Sequence, residues 1–239
     1  MIRGILFDLG WTLMKPETGD WMLTRKFREY CPQELQNTIS PETWHQALYA
    51  ASVPLAEAHN AGRLLTREAE EDAFADFYYD LVNGAGLQMS WDAARVISHD
   101  RTYVYDDKYI LLDGLEEVLE HLQAQGLRLG ILSDTWPSMP AILDHFELTP
   151  YFDSITYSYE VGTFKPDPRM FEDAPDKIGL PGKEVVFLDD LVKNLEGAKQ
   201  FGIKGILARM NEKIPDDPGY PSITDLRQLP EILLHIQSR

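Results

Sequence analysis

The sequence predicts an α/β fold, a parallel sheet with helices on both faces, interrupted after its first strand by a helical insert. Three observations lead there. Apolar runs stop on polar residues at Asp8, at Ser133 and at Asp189-Asp190. Helical periodicities lie between such runs from about residue 110 onward, and that alternation produces βαβ units and a parallel sheet. Residues 16 to about 106 carry helical periodicity with almost no strand signal.

Taken in order, Ile5-Leu6-Phe7 is a short apolar run ending at Asp8 and Gly10, as expected of a buried strand that delivers a carboxylate at its C-terminal end. The insert follows. Ser40 before Pro41 and Glu42, and Ser90 before Trp91 and Asp92, each supply a capping hydroxyl and an acid for a first helical turn. Phe74, Phe77, Tyr78 and Leu81 fall at i, i+3, i+4 and i+7, one apolar stripe that packs as core. Leu115, Val118, Leu119 and Leu122 form the next helix, with Gly126 placed to end it before a strand over 127–132. A helix over 168–178 begins at Pro168, a strand runs over 184–188, and a helix over 195–201 stops at Gly202. A strand over 203–207 and a closing helix over 226–236, interrupted early by Pro230, complete the pattern. Residues 1–15 and 107–239 then form the sheet domain, and 16–106 the inserted one.

Composition narrows the function. The 239 residues hold 22 basic against 39 acidic side chains, a net charge of −17 that disfavours counterion-releasing contacts with nucleic acid and attraction to an anionic membrane. One cysteine, Cys31, cannot form an internal disulfide, and six scattered histidines make no zinc spacing. No apolar stretch approaches the ~20 residues that span a bilayer. The first residues lack the apolar run of a secretory signal, so a cytoplasmic protein is expected.

In an open parallel sheet, ligands bind beyond the carboxyl ends of the strands, where Asp8, Ser133 and Asp189-Asp190 project. Lys165, in Gly162-Thr163-Phe164-Lys165-Pro166-Asp167-Pro168, is presented from a turn that two prolines restrict. Clustered carboxylates, unless protonated, need a cation, and hard oxygen ligands without His or Cys select Mg2+. A phosphate then fits, held by Lys165 and the Ser133 hydroxyl, with an aspartate as covalent nucleophile.

These residues resemble the ordered motifs of the haloacid dehalogenase (HAD) superfamily of hydrolases. Phe7-Asp8-Leu9-Gly10-Trp11-Thr12-Leu13 is similar to the family's Asp-Xaa-Asp-Gly-Thr motif. Ser133 follows an apolar strand, Lys165 precedes Pro166-Asp167-Pro168, and Phe187-Leu188-Asp189-Asp190 leads to Asn194 and Gly197-Ala198-Lys199. The resemblance implies a Rossmann-like core with an α-helical cap. It also implies Mg2+-dependent hydrolysis of a small phosphate ester, such as a sugar phosphate, through an aspartyl-phosphate on Asp8. It places the metal on Asp8, the carbonyl of Gly10 and Asp190, with Asp189 beside it as ligand or as partner of one. Ser133 and Lys165 bind phosphate, while Trp11, Thr12, Asp134 and Asn194 are candidates for substrate contact.

Three positions depart from the family pattern. Gly10 stands where the family's second aspartate acts as general acid and base, and glycine cannot transfer a proton. Trp11 replaces the glycine of the motif and is a candidate for lining the substrate pocket. Asp134 replaces an asparagine, and a carboxylate there opposes a phosphate unless protonated or turned away. Gly10 keeps open a second reading, a non-catalytic or weakly active phosphate-binding protein. A third, a 2-haloacid dehalogenase, needs no metal, and the Asp189-Asp190 pair argues against it by repelling a carboxylate substrate. Asn194 is a helix cap or a site contact, and Arg25, Lys26 and Arg28 are expected on a solvated helix face.

Overall fold

The computed structural model describes residues 1–172 and 174–237. Eight strands are present among them: β1 (Gly4–Phe7), β2 (Met14–Pro16), β3 (Tyr109–Leu111), β4 (Arg128–Ser133), β5 (Ser154–Tyr157), β6 (Val185–Asp189), β7 (Lys204–Ala208) and β8 (Ser222–Ile223). Six of them form one sheet in the order β5-β4-β1-β6-β7-β8, with parallel pairing throughout. The two others, β2 and β3, pair where the chain leaves and re-enters the sheet region. The architecture is therefore α/β and Rossmann-like, as the apolar runs predict.

Every residue of β1 is buried, and so is every residue of β6, which is why both read as unbroken apolar runs and not as alternation. Because β1 is central, with β4 on one side and β6 on the other, the chain reverses direction across the sheet beside β1. Open sheets place their ligand sites at that switch point.

The chain divides into two compact units. One comprises Met1–Lys15, Ile110–Thr135 and the residues from Phe146 on. Its core packs Leu6 and Leu132 of the sheet with Phe171, Phe187, Leu195 and Ile203. The sequence expectation differs from the structure here in details with local causes. The predicted helix over 168–178 is present as two short helices, Arg169–Glu172 and Ala174–Ile178, with residue 173 between them outside the described residues. Pro230 does not interrupt the closing helix. It lies in the first turn of Leu229–Gln237, where the missing N–H is not needed. The edge strands β5 and β8 carry Ser154, Thr156 and Ser222 and have no continuous apolar run to reveal them.

The other unit comprises Pro16–Tyr109 together with Trp136–His145, a segment that the sequence reading leaves with the sheet. Its long helices are Pro41–Asn60, Arg67–Gly84 and Trp91–Tyr103. Ser40 and Ser90 cap two of them, accepting from the Thr43 and Ala93 N–H groups at 3.1 and 3.2 Å. Phe74, Phe77, Tyr78 and Leu81 are all buried in the unit's core, which also takes in Cys31. Burial pushes the Cys31 thiol up to about 11, leaving it unreactive. Arg25 and Lys26 form exposed ion pairs with Glu17 and Glu29, so their helix face is a solvated one.

Trp136 joins this unit by setting its ring edge-on to His59 and Phe74, and the next residues reach a buried ion pair. Glu70 Oε1 accepts from Arg101 Nη1 at 2.5 Å, and Glu70 also accepts from the Ser138 N–H and hydroxyl at 2.7 and 2.8 Å. Arg101 lies 3.5 Å above the Phe74 ring. Removing one partner of a buried pair strands the other charge. Arg101→Met is therefore expected to lower stability by about 3–5 kcal/mol, read as a shift of the urea midpoint. An unchanged midpoint refutes that weight for the pair.

Candidate active site

Asp8 leaves the C-terminal end of β1, Ser133 ends β4 and Asp189 ends β6, so three adjacent strands deliver them to one place. Lys165 arrives from the turn after the short helix Ser158–Val161. The turn holds its shape locally. The Lys165–Pro166 peptide is cis, and the Asp167 N–H donates to the Phe164 carbonyl at 3.0 Å. Gly197 lets the helix Val192–Lys199 approach that turn, since a Cβ there would meet Phe171 at 2.8 Å and Pro166 at 3.0 Å.

Lys165 is the hub. Its ammonium donates to Asp8 Oδ1 at 2.6 Å, to Asp189 Oδ2 at 2.8 Å and to the Leu132 carbonyl at 3.1 Å, so three protons meet three acceptors. Ser133 Oγ also donates to Asp8 Oδ1, at 3.0 Å. Among the described residues, both donors to the Asp8 carboxylate converge on Oδ1, and Oδ2 takes none. Asp189 is fully engaged. Its Oδ1 accepts from the Leu191 N–H and from Asn194 Nδ2 at 2.8 and 2.9 Å, and its Oδ2 accepts from Lys165 and again from Asn194. Asn194 is thus not the helix cap, a place taken by Leu191; its amide nitrogen braces Asp189.

Charge is out of balance here. Burial pushes Asp8 up to about 6 against the pull of Lys165, and the Asp189 charge adds to the rise. Asp190, half-buried, is raised to about 7 by burial, then by Asp8 and Asp189. Burial works to lower Lys165, but Asp189, Asp8 and Asp134 outweigh it and hold the ammonium well above its ordinary value. Asp134 Oδ1 accepts the Lys165 backbone N–H at 2.9 Å, and its carboxyl is raised by its packed surroundings, although the side chain is exposed and water moderates that shift.

Gly10, Trp11 and Thr12 form the turn after Asp8 and are not joined to this network by a hydrogen bond among the described residues. Trp11 holds a φ of 54°, a left-handed conformation that favours glycine and costs another residue roughly 1 kcal/mol. Thr12 Oγ1 is buried and has no partner among the described residues. Two supports escaped the sequence reading. The Leu132 carbonyl takes the third lysine proton, and Ser158 Oγ accepts the Thr135 N–H at 2.8 Å and donates to the Thr135 carbonyl, fixing the chain after Asp134. No residue type or spacing signals either one.

Comparison with known proteins accords with this geometry. Residues 2–202 match the family model described as Hydrolase: haloacid dehalogenase-like hydrolase. The chain is 29 % identical to an (S)-2-haloacid dehalogenase of Pseudomonas sp. (strain YL) over 53 % of this chain and 57 % of that protein. It is 26 % identical to the glyceraldehyde 3-phosphate phosphatase of Methanocaldococcus jannaschii over 99 % of each. Some matches to curated relatives thus span about half of the relative's length, and others nearly all. A Bacillus subtilis HAD-hydrolase, YfnB, in a magnesium-bound crystal form superposes with a TM-score of 0.60 at 20 % identity, covering 97 % of this chain and 98 % of that one. Among the described residues, no helix is long and apolar enough to cross a membrane.

Proposed function

Because the chain belongs to the haloacid dehalogenase-like hydrolases, we propose that it is a Mg2+-dependent phosphatase that hydrolyses a small phosphorylated metabolite through an aspartyl-phosphate on Asp8. The observation that carries this reading is the surplus of carboxylate around one lysine. Lys165 spends its three protons on Asp8, Asp189 and Leu132, and Asp190 is left beside them raised to about 7.

The donor set fits a small hard cation. Asp8 and Asp190 offer carboxylate oxygens, and no nitrogen or sulfur ligand competes in the network described. Among the described residues there is no grouping of three acidic, His or Cys side chains fit to cage a metal. Mg2+ does not require one, since it keeps several waters and binds through one or two carboxylates plus substrate phosphate. Asp8, Asp190 and the Gly10 carbonyl are assigned to hold it, and Asp189, whose oxygens are already satisfied, is assigned to Lys165 instead. When bound, the ion neutralises the carboxylates and the phosphoryl oxygens and so lets them approach one another.

The chain's own residues do the rest. Lys165 and Ser133 fix the Asp8 carboxylate by Oδ1, directing Oδ2 at phosphorus. The glyceraldehyde 3-phosphate phosphatase of Methanocaldococcus jannaschii, a relative that aligns along 99 % of this chain, acts by its name on a small phosphate ester and supports that substrate class.

A panel of phosphorylated metabolites, assayed for phosphate release with Mg2+ and with EDTA, tests the reading. Release with Mg2+ that EDTA abolishes is expected. Silence on every ester, or halide release from a 2-haloacid without metal, overturns it in favour of the binding-protein or dehalogenase reading.

A further inference from the structure

The phosphatase reading leaves one proton without a source, because Gly10 has no side chain to protonate the departing alkoxide. We propose that Asp134 is the general acid and base of this site. The inference rests on the phosphatase reading and adds a catalytic residue to it.

The groups around Asp8 exclude one another in turn. Ser133 Oγ already donates to Asp8, and the Lys165 ammonium has its three protons on three acceptors. Asp189 accepts hydrogen bonds on both oxygens inside the protein and is fully buried. Asp190 is assigned to the cation. Asp134 remains, and its geometry suits the task. It follows Ser133 directly in the chain, and its Oδ1 is pinned by the backbone N–H of Lys165 at 2.9 Å, so it is tied to both residues that hold Asp8. Among the described residues only Oδ1 takes a hydrogen bond, and the side chain is exposed, so Oδ2 is open to a substrate oxygen or a water.

The charged groups that act on Asp134 are Lys165, Asp189 and Lys193, together with the nucleophile Asp8. An arriving phosphate adds negative charge and disfavours the ionised form further. Substrate therefore selects the protonated Asp134, the form able to donate. In the first step Asp8 Oδ2 bonds to phosphorus and the bond from phosphorus to the ester oxygen breaks. The ester oxygen keeps the electron pair and takes the Asp134 proton, leaving as the alcohol. In the second step the Asp134 carboxylate takes a proton from water as the water oxygen bonds to phosphorus. The Asp8–phosphorus bond breaks, its pair returns to the Asp8 carboxylate, and inorganic phosphate leaves with Asp134 protonated again.

Asp134→Asn keeps an oxygen for the Lys165 N–H and removes the ionisable carboxyl, which separates proton transfer from positioning. Because kcat/KM reports the first step, it is measured on two esters with Mg2+, an alkyl phosphate whose leaving group needs a proton and p-nitrophenyl phosphate whose leaving group does not. The expected result is a loss of about 10²–10⁴-fold on the alkyl ester and a loss at least tenfold smaller on the aryl ester. The alkaline limb of the alkyl pH profile is expected to disappear as well. Asp134→Ser, tested in parallel, should show the same contrast and covers a folding defect in the first variant. Equal losses on both esters, or no loss on either, overturn the proposal while leaving the phosphatase reading intact. The alkyl ester is one that the wild-type protein hydrolyses in the metabolite panel; a wild type silent on the whole panel and on p-nitrophenyl phosphate refutes that reading itself and this inference with it.

Discussion

Asp8→Asn is expected to lower phosphate-ester turnover by about 10⁴–10⁶-fold, the scale on which enzymes lose rate when a nucleophile is removed. The amide keeps the size of the side chain and an oxygen to accept from Lys165 and Ser133, so the network around it should survive. It loses the negative charge and the nucleophilic electron pair at Oδ2, and no covalent intermediate can form. Folding should change little, because the variant trades two buried carboxylates around Lys165 for one, and an ammonium paired with a single carboxylate is balanced. The measurement is initial rate at saturating Mg2+ beside a urea titration of the same sample. A rate within tenfold of wild type rules out Asp8 as the attacking group; a collapsed urea midpoint assigns the loss to folding instead.

Lys165→Met is expected to damage both stability and rate, in a pH-dependent way. The lysine is 4 % exposed and lies between two carboxylates, and stripping the cation from such a cluster costs about 3–5 kcal/mol. Rate should fall by about 10²–10³-fold, the usual loss for one charge-stabilising donor. The sign with pH follows from Asp8. Its folded value, about 6, lies above its ordinary 3.8, so between those values the folded state binds more protons than the unfolded one. Stability contributed by this group therefore declines as pH rises through that window. Lys165 opposes the rise of Asp8, so without the lysine the folded value climbs further and the decline extends to higher pH. Less Asp8 is then ionised near neutrality, and part of the lost rate should return as pH is raised. Urea midpoints of the metal-free proteins across pH 4 to 8 on both chains give the test; parallel curves for wild type and variant refute the coupling.

How much of this was legible beforehand depends on the range of the interaction. The strand ends at Asp8, Ser133 and Asp189 were readable because a buried parallel strand needs a continuous apolar run, and the polar residue that stops it is conspicuous. The caps at Ser40 and Ser90 were readable because a cap acts within three residues of itself. The brace that Asn194 makes on Asp189 was not, although only five residues separate them, because an asparagine near a helix start suits a cap equally well. Trp136–His145 was misplaced for a related reason. Its neighbours His59, Phe74 and Glu70 are more than sixty residues away along the chain, and periodicity carries no trace of them.

The sequence by itself determined the alternation of strands and helices, the acidic surface, and which residue types stand at the strand ends, because these follow from composition and from patterns a few residues long. Only the tertiary structure decided how the charges are shared. Lys165 lies 157 residues from Asp8 and 24 from Asp189, yet its ammonium bonds both carboxylates at once, while Asp134 meets only the Lys165 backbone N–H. Pairing of charges depends on distances of a few ångströms, since Coulomb energy and hydrogen-bond geometry fall off on that scale, and those distances are set by folding and not by order along the chain.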